Sequence, residues 1–505
     1  MLLSRTLIKY VSIFQHKIDK DDLRIFLESS PHYPNLLSVM QTLKYAGLNV
    51  HAGQCDWESL RHLDSPFLIH IKVREKEVLV ITEWDNSNNC VRVFNLKEDR
   101  WEIKPKEYIE SIWDRVVIYT DDNPIKHGFN KNAIFVVLAA IFMFLVFGAV
   151  RFEGITVIYF VPVFIGLMTS LYLYSHKWLY ENPIIDKLCK ISPITDCNTI
   201  EKSSYSSIFG LRMDCMALAY FLSQIICMAV AKLLDGPDSL YTIYFISAIV
   251  IIPIAIYSVY GQIRLKKVCP LCILVLICVL TETILFISMM PSHTININLI
   301  ILWGGIALVS LSVFQYVFNM RLTRQEYLAD KIQSLRLKRK KEIVLHESRD
   351  VGLVLSPIWL GKADASLNIT TIISTNCGHC RNLVAKILKL LDKGFEFRWN
   401  IILGSANDSD LNDIYSWIQQ YITDKSKFLE YIQVWSNYKT STISIPKEIC
   451  RNVRISQISR YFDGQISAWG IIESPRIIIN NQLLSCMYSS KDIEFLIIDK
   501  TEEIQ

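Results

Sequence analysis

Residues 268–273 read VCPLCI, two thiols three positions apart, directly after the basic turn RLKK (264–267) and before the apolar run LVLICVLTETILFISMM (274–290). Pro270 suits the first turn of a helix, where its missing N–H has no partner to lose. Cys269 therefore caps the helix that follows and Cys272 lies one turn inside it. A bilayer core about 30 Å thick needs about 20 apolar residues in a helix, so this run is long enough to span. The pair then sits at a lipid boundary. Buried cysteines otherwise behave as small hydrophobes, and lone Cys215, Cys227 and Cys278 are read that way.

Working outward, further apolar runs fall at 133–150, 155–174, 213–234, 241–262 and 297–320, which with 270–290 makes six expected spans. Short hairpins (RFEG, LDGPDS, MPSHT) join several of them into an antiparallel bundle. The 38-residue connection 175–212 is the exception, and loops of that length inside compact units usually carry function. It contains KLCKISPITDCNTIEKSSYSSIFG (187–210), in which Cys189 and Cys197 lie in a polar loop two spans away from CPLC and hence on its side of the membrane. Two thiols eight residues apart there can close a disulfide with each other or exchange with a neighbour through a mixed disulfide.

The 505 residues are 51% hydrophobic with mean hydropathy +0.27, as expected of a multidomain membrane protein. The net charge of +4 is too small to imply a nucleic-acid partner, no nucleic-acid motif is present, and the basic residues cluster near the apolar runs where lipid headgroups can meet them. Thirteen cysteines, unevenly spaced, do not make a small disulfide scaffold. The start, MLLSRTLIKYVSIFQHKIDKDD, has neither a long apolar core nor a small-residue cleavage site, so a cleavable signal peptide is not expected.

A second pair stands at STNCGHCRN (374–382). A strand (ITTIIST, 369–375) runs into Cys377-Gly-His-Cys380 and a helix continues, which puts Cys377 where backbone N–H groups and the helix dipole favour a thiolate, with His379 alongside. Zinc would require a second ligand pair at comparable spacing; downstream there are only the isolated Cys450 and Cys486, and no metal is expected. Another strand (395–403), a helical middle (about 408–470) and a late strand in ESPRIIINNQLL (473–484) follow. This order, with Ser474-Pro475 before the late strand, resembles the thioredoxin fold. The resemblance implies a cis-proline at Pro475 facing the dithiol and helping to bind extended substrate, and the helical middle resembles the inserted subdomain of periplasmic disulfide oxidoreductases.

Residues 155–320 resemble the vitamin K epoxide reductase family, through the paired loop cysteines, SSYSSIFG (203–210) and the CxxC opening a later span. Family fusions with a C-terminal thioredoxin-like domain share the order found here. The resemblance implies that Cys269 and Cys272 face a quinone (menaquinone or ubiquinone), with Cys272 nearer it, that Cys189 and Cys197 are the shuttle, and that Ser203 lies near the site. Where the family's vertebrate members carry a tyrosine, four residues after the second active cysteine, this chain has Leu276. Gln224, polar in an apolar span, is the remaining candidate for a quinone contact.

The N-terminal stretches HYPNLLSVMQTLKYAGL (32–48), LDSPFLIHI (63–71), KEVLVITEWDNSNNCVRVFN (76–95) and YIESIWDRVVIY (108–119) resemble the papain-like domain that trims double-glycine leaders. That chemistry needs an early Cys, a His and an Asp or Asn. No cysteine precedes Cys55, Glu77 stands where the His belongs, and only Asn95 is in place for the third member, so proteolysis is not expected. The domain either still binds peptide or is purely structural, and Cys55 and Cys90 are ordinary thiols.

The expected fold is a helical transmembrane bundle of about six spans (132–320) between an N-terminal α+β papain-like domain (1–125) and an α/β thioredoxin-like domain with a helical insertion (347–505). A charged helical stalk, 321–346, links the last two. The expected activity is thiol:quinone oxidation. Reduced client proteins or peptides reduce Cys377/Cys380, electrons pass through Cys189/Cys197 to Cys269/Cys272, and the membrane quinone pool accepts them; a reductase running the other way uses the same parts. The alternative is a peptide-export accessory whose N-terminal domain binds leader peptides and whose bundle is mainly an anchor. Disulfides persist outside the cytoplasm, which places the thiols on the extracytoplasmic face of a bacterial inner membrane. The Lys/Arg distribution, with only Arg151 in the opposing loops, points the other way.

Overall fold

The structure is a computed structural model that describes residues 2–14, 19–63, 66–73, 76–85, 90–96, 100–124, 155–176, 195–201, 203–234, 238–289, 297–404, 410–437 and 453–502. The expected first span (133–150), Cys189 and Cys450 lie outside them. The chain divides into two compact units, one formed by Met1–Phe94, Trp101–Lys126 and Tyr327–Gln505, the other by Asn95–Arg100 and His127–Glu326.

In the first unit, helices α1 (Leu2–Phe14), α2 (Lys20–Ser29) and α3 (Leu36–Ala46) precede a six-stranded sheet. The Asp19 side chain caps α2 by accepting from the Asp21 and Asp22 N–H groups. Strands β1 (Val50–Gln54), β2 (Phe67–Val73), β3 (Lys76–Asp85), β4 (Cys90–Asn95), β5 (Arg100–Lys104) and β6 (Trp113–Thr120) adopt the order β1-β6-β2-β3-β4-β5, with helix α4 (Lys106–Ile112) before the last. Alternation buries Phe67, Ile69 and Ile71 on one face of β2 against Trp57, Trp113 and Val117. Helices followed by an antiparallel sheet is what the pattern predicts.

The second unit contains α5 (Ile155–His176), the one-turn α6 (Cys197–Glu201), the hairpin β7 (Ser207–Ile208) and β8 (Leu211–Arg212), α7 (Met213–Leu234), α8 (Asp238–Leu265), α9 (Pro270–Met289) and the first part of α10 (Ile297–Lys338). Among the described residues one helix, Ile300–Lys338, is long and apolar enough to cross a membrane by length and composition; shorter apolar stretches lie at Phe160–Ser175, Met213–Met228, Ile249–Leu265 and Pro270–Leu285. Of the six expected spans, five coincide with helices, and six spanning segments are not established. Val163, Phe221, Cys215, Cys227 and Cys278 pack in one apolar core, as expected of ordinary thiols. Helices α5 and α7 approach so closely at Gly166 that an added Cβ would lie 2.3 Å from the fully buried Phe221 ring. A Gly166→Leu substitution is therefore expected to lower the thermal midpoint of the purified protein by overpacking, at a cost of roughly 1–3 kcal/mol; an unchanged midpoint in detergent would refute the close contact.

The stretch 321–346 departs from the expected solvated stalk. Residues up to Lys338 continue α10, and a short helix α11 (Lys341–His346) follows. Leu328, Ile332, Leu335 and Arg339 recur at helical spacing and are buried. The Arg339 side chain is fully enclosed, forked onto both Asp499 oxygens at 2.6 and 2.7 Å, and it also donates to the Phe26 carbonyl and Ser29 hydroxyl. Its guanidinium lies over the rings of Phe26 and Phe495, which themselves meet edge to face at 4.9 Å. One cation thus clamps α2 to the last helix of the chain, so the N-terminal domain and the C-terminal domain form one body. Removing one partner of a buried pair strands the other's charge. Arg339→Met is expected to cost about 3–5 kcal/mol in urea unfolding, and Arg339→Met/Asp499→Leu to recover most of it; equal stability of the single variant and the native chain would refute the clamp.

The C-terminal domain has strands β9 (Ser348–Asp350), β10 (Ile358–Gly361), β11 (Asn368–Ile373), β12 (Arg398–Leu403), β13 (Arg476–Ile479) and β14 (Gln482–Leu484) in the order β10-β12-β11-β13-β14-β9. The strands of the unit β11, α12 (Gly378–Asp392), β12 pair in parallel, and β13 joins β11 antiparallel from the other side. Helices α13 (Asp410–Thr423), α14 (Lys425–Asn437) and α15 (Val453–Trp469) are inserted between β12 and β13, and α16 (Ser490–Glu502) closes the domain. This is the thioredoxin arrangement with a helical insertion.

Candidate functional site: two dithiols

The C-terminal dithiol is built by β11 running into α12. Cys377 is the N-cap of α12, and its sulfur accepts from the Cys380 N–H at 3.3 Å, one of the donors a helix start leaves open. Cys377 is half-buried and Cys380 fully buried. Burial, with the Cys377 thiol beside it, pushes the Cys380 thiol up to about 12. The Ser474–Pro475 bond is cis, and the Ser474 carbonyl lies 3.7 Å from the Cys377 sulfur. Pro475 therefore adjoins the outer thiol, His379 is exposed between the cysteines, and Ile472, almost fully exposed, projects from the same loop. Such a pair can divide its labour, the outer sulfur being open to another molecule and the enclosed one placed to resolve the bond.

In the second unit, Cys269 stands immediately before α9 and is 1% exposed. Its N–H donates to the Gln262 Oε1 at 3.0 Å, and its sulfur accepts from the Cys272 N–H at 3.2 Å. The Cys269 thiol is held below the ordinary thiol range, first by the hydrogen bond from the Cys272 side chain and then, against burial, by the N–H groups of Cys272 and Leu271. Residues 195 and 196 are tied to Val268, by a parallel bridge and by the Asp196 N–H on the Val268 carbonyl. That strap delivers Cys197, which is disulfide-bonded, to 3.5 Å from the Cys269 sulfur. Cys269 and Cys272 are both free thiols. A thiol in van der Waals contact with a disulfide sulfur is placed for exchange.

Beside this contact lies a cavity of about 120 Å³ whose walls include Cys269, Cys272, Leu276, Val279, Phe221 and Tyr220. Leu276 faces it. Ser203 spends its hydroxyl on the Ile200 carbonyl at 2.7 Å, while its neighbours Tyr205 and Ser206 reach the cavity wall. Gln224 is fully buried and donates to Glu282 at 3.1 Å. Sequence reasoning missed Gln262, Tyr220 and Glu282. Glu282 alone carried a readable signal, a single carboxylate within an apolar run.

No clustered metal ligands occur among the described residues. In the N-terminal domain Cys55 packs into the sheet core and burial pushes its thiol up. Glu77 pairs with Lys72 at 3.1 Å. Asn95 ends β4, and His70 on β2 is hydrogen-bonded to Asp114 on β6, a pairing with no local signal in the sequence. These positions assemble no Cys–His site.

A thioredoxin-type dithiol beside a cis-proline and a second CxxC touching a disulfide define a thiol–disulfide oxidoreductase. Residues 157–287 match the model of the Vitamin K epoxide reductase family. Solved structures similar to the chain include the thiol-disulfide exchange protein alpha-DsbA2 from Wolbachia pipientis, at 17% identity over 29% of this chain and 86% of that one with a TM-score of 0.25. Oxidised BdbD from Bacillus subtilis is 12% identical, covering 30% and 100%, with a TM-score of 0.26. A periplasmic thioredoxin-like protein from Salmonella enterica serovar Typhimurium is 14% identical, covering 28% and 89%, with a TM-score of 0.26. A search of curated proteins gives no match.

Proposed function

We propose that the chain is a multi-pass membrane thiol:quinone oxidoreductase. The observation that carries this reading is the 3.5 Å contact between the Cys269 sulfur and the disulfide-bonded Cys197 beside an apolar-walled cavity. In the proposed cycle a client dithiol attacks the Cys377–Cys380 disulfide and leaves oxidised. The reduced pair passes its two electrons to a Cys189–Cys197 disulfide, and that pair reduces a Cys269–Cys272 disulfide through a Cys197–Cys269 mixed disulfide. The CPLC dithiol then returns to a disulfide as quinone takes two electrons and two protons. Each exchange breaks one S–S bond and forms another. The same mixed disulfide serves the reverse current, so the potentials of the pairs decide direction. Quinone suits the cavity because its walls are largely apolar and Cys272 opens onto it. Thiols on the extracytoplasmic face of the inner membrane, and peptide capture by the N-terminal domain, complete the proposal.

The test is the purified full chain in detergent, given a reduced dithiol peptide and decylubiquinone. Loss of the quinone absorbance at a rate proportional to protein supports the reading; quinone left oxidised, with the peptide still reduced or oxidised only stoichiometrically by exchange with the protein, refutes it.

A further inference from the structure

The α9 stripe that faces the cavity runs Cys272, Val275, Leu276, Val279 at helical spacing. Three residues further, about 4.5 Å along the axis, comes Glu282, 3% exposed within the bundle. Its Oε2 accepts from the Tyr220 hydroxyl at 2.8 Å and from the Gln224 amide at 3.1 Å, and among the described residues its Oε1 has no partner. Tyr220 itself lines the cavity. The carboxyl is thus one hydrogen bond behind the cavity wall. A glutamine would satisfy the same two neighbours without the cost of a buried acid, and ionisable groups inside a bundle are expensive enough to mark function.

Resting on the thiol:quinone reading, we infer that Tyr220 hands a proton to a quinone oxygen in this cavity and that Glu282, as a positioning residue behind it, replaces that proton. The balance closes with the CPLC dithiol alone. Oxidation of Cys269 and Cys272 to a disulfide releases two electrons and two protons. One proton passes from the Cys272 thiol directly; the other comes from the Tyr220 hydroxyl, Glu282 returns a proton to that phenol across their 2.8 Å contact, and the proton released by Cys269 restores the carboxyl by way of bulk water. No other reductant or acid is needed.

The experiment uses the full chain in detergent with decylubiquinone and a reduced dithiol peptide, comparing native, Glu282→Gln, Glu282→Asp and Tyr220→Phe. Expected is a fall in kcat of about a hundredfold for Glu282→Gln and Tyr220→Phe, with KM for the quinone within about threefold and partial rescue by Glu282→Asp. An infrared carboxylic-acid band that shifts when quinone is added and is missing from Glu282→Gln is also expected, and a structural role would not produce it. Native kcat in both variants overturns the inference, as does a band indifferent to quinone, or turnover lost together with quinone binding measured by tryptophan fluorescence. If the native chain itself fails to reduce quinone, the thiol:quinone reading fails instead, and the two failures are distinct.

Discussion

Cys272→Ala is expected to reduce quinone turnover by about 10³-fold or more, because it removes the sulfur that must close the CPLC disulfide. The loss should not come from misfolding. The group that Cys272 gives to the Cys269 sulfur at 3.2 Å is its backbone N–H, which alanine keeps. Cys269 also retains the Gln262 contact that fixes its backbone. Cys269→Ala should lose as much by a different route, since it deletes the sulfur that touches Cys197. The two effects should not add, because each breaks the same sequence of exchanges. The rate of decylubiquinone bleaching measures both, and a Cys272→Ala chain that still turns over at a tenth of the native rate or better would remove CPLC from the electron path.

In the C-terminal domain the asymmetry of burial predicts an asymmetry of outcome. Cys380→Ala is expected to accumulate client proteins linked to Cys377, whereas Cys377→Ala should trap none. The outer sulfur is accessible and attacks or is attacked; the enclosed Cys380 can only resolve what Cys377 has formed. With its thiol pushed up to about 12 by burial, Cys380 is deprotonated in a fraction that rises about tenfold per pH unit across the neutral range. Mixed disulfides of the native chain should therefore be longest-lived at low pH and shorten as pH rises. Non-reducing electrophoresis followed by mass spectrometry checks both expectations. Equal trapping by the two variants would contradict the assignment of roles.

Features governed by local rules were legible in the sequence. The CGHC helix start follows from N-cap chemistry, and β2, β3, β11 and β12 from alternation or continuous apolar runs. The expected cis-proline came from a family pattern that a four-residue window suffices to read. Long-range apposition was not legible. Nothing near Arg339 announces Asp499, 160 positions away, so a clamp reads as one more charge in a basic run. The β1–β6 pairing, about 70 residues apart, is of the same kind. The meeting of Cys197 with Cys269 was expected from the family resemblance, but the strap at Thr195 and Val268 that produces it is a single bridge without a pattern of its own. Glu282 is the instructive miss, since a lone carboxylate among apolar residues was visible and its cost in a bundle is a physical signal.

The proposed relay requires the Cys197 and Cys269 sulfurs to bond to each other directly. Its most direct measurement is peptide mapping of the Cys272→Ala chain, blocked with an alkylating reagent and digested without reduction. A Cys197–Cys269 linked peptide is the predicted product; Cys269 recovered alkylated, with Cys197 bonded only to another partner, would contradict the account.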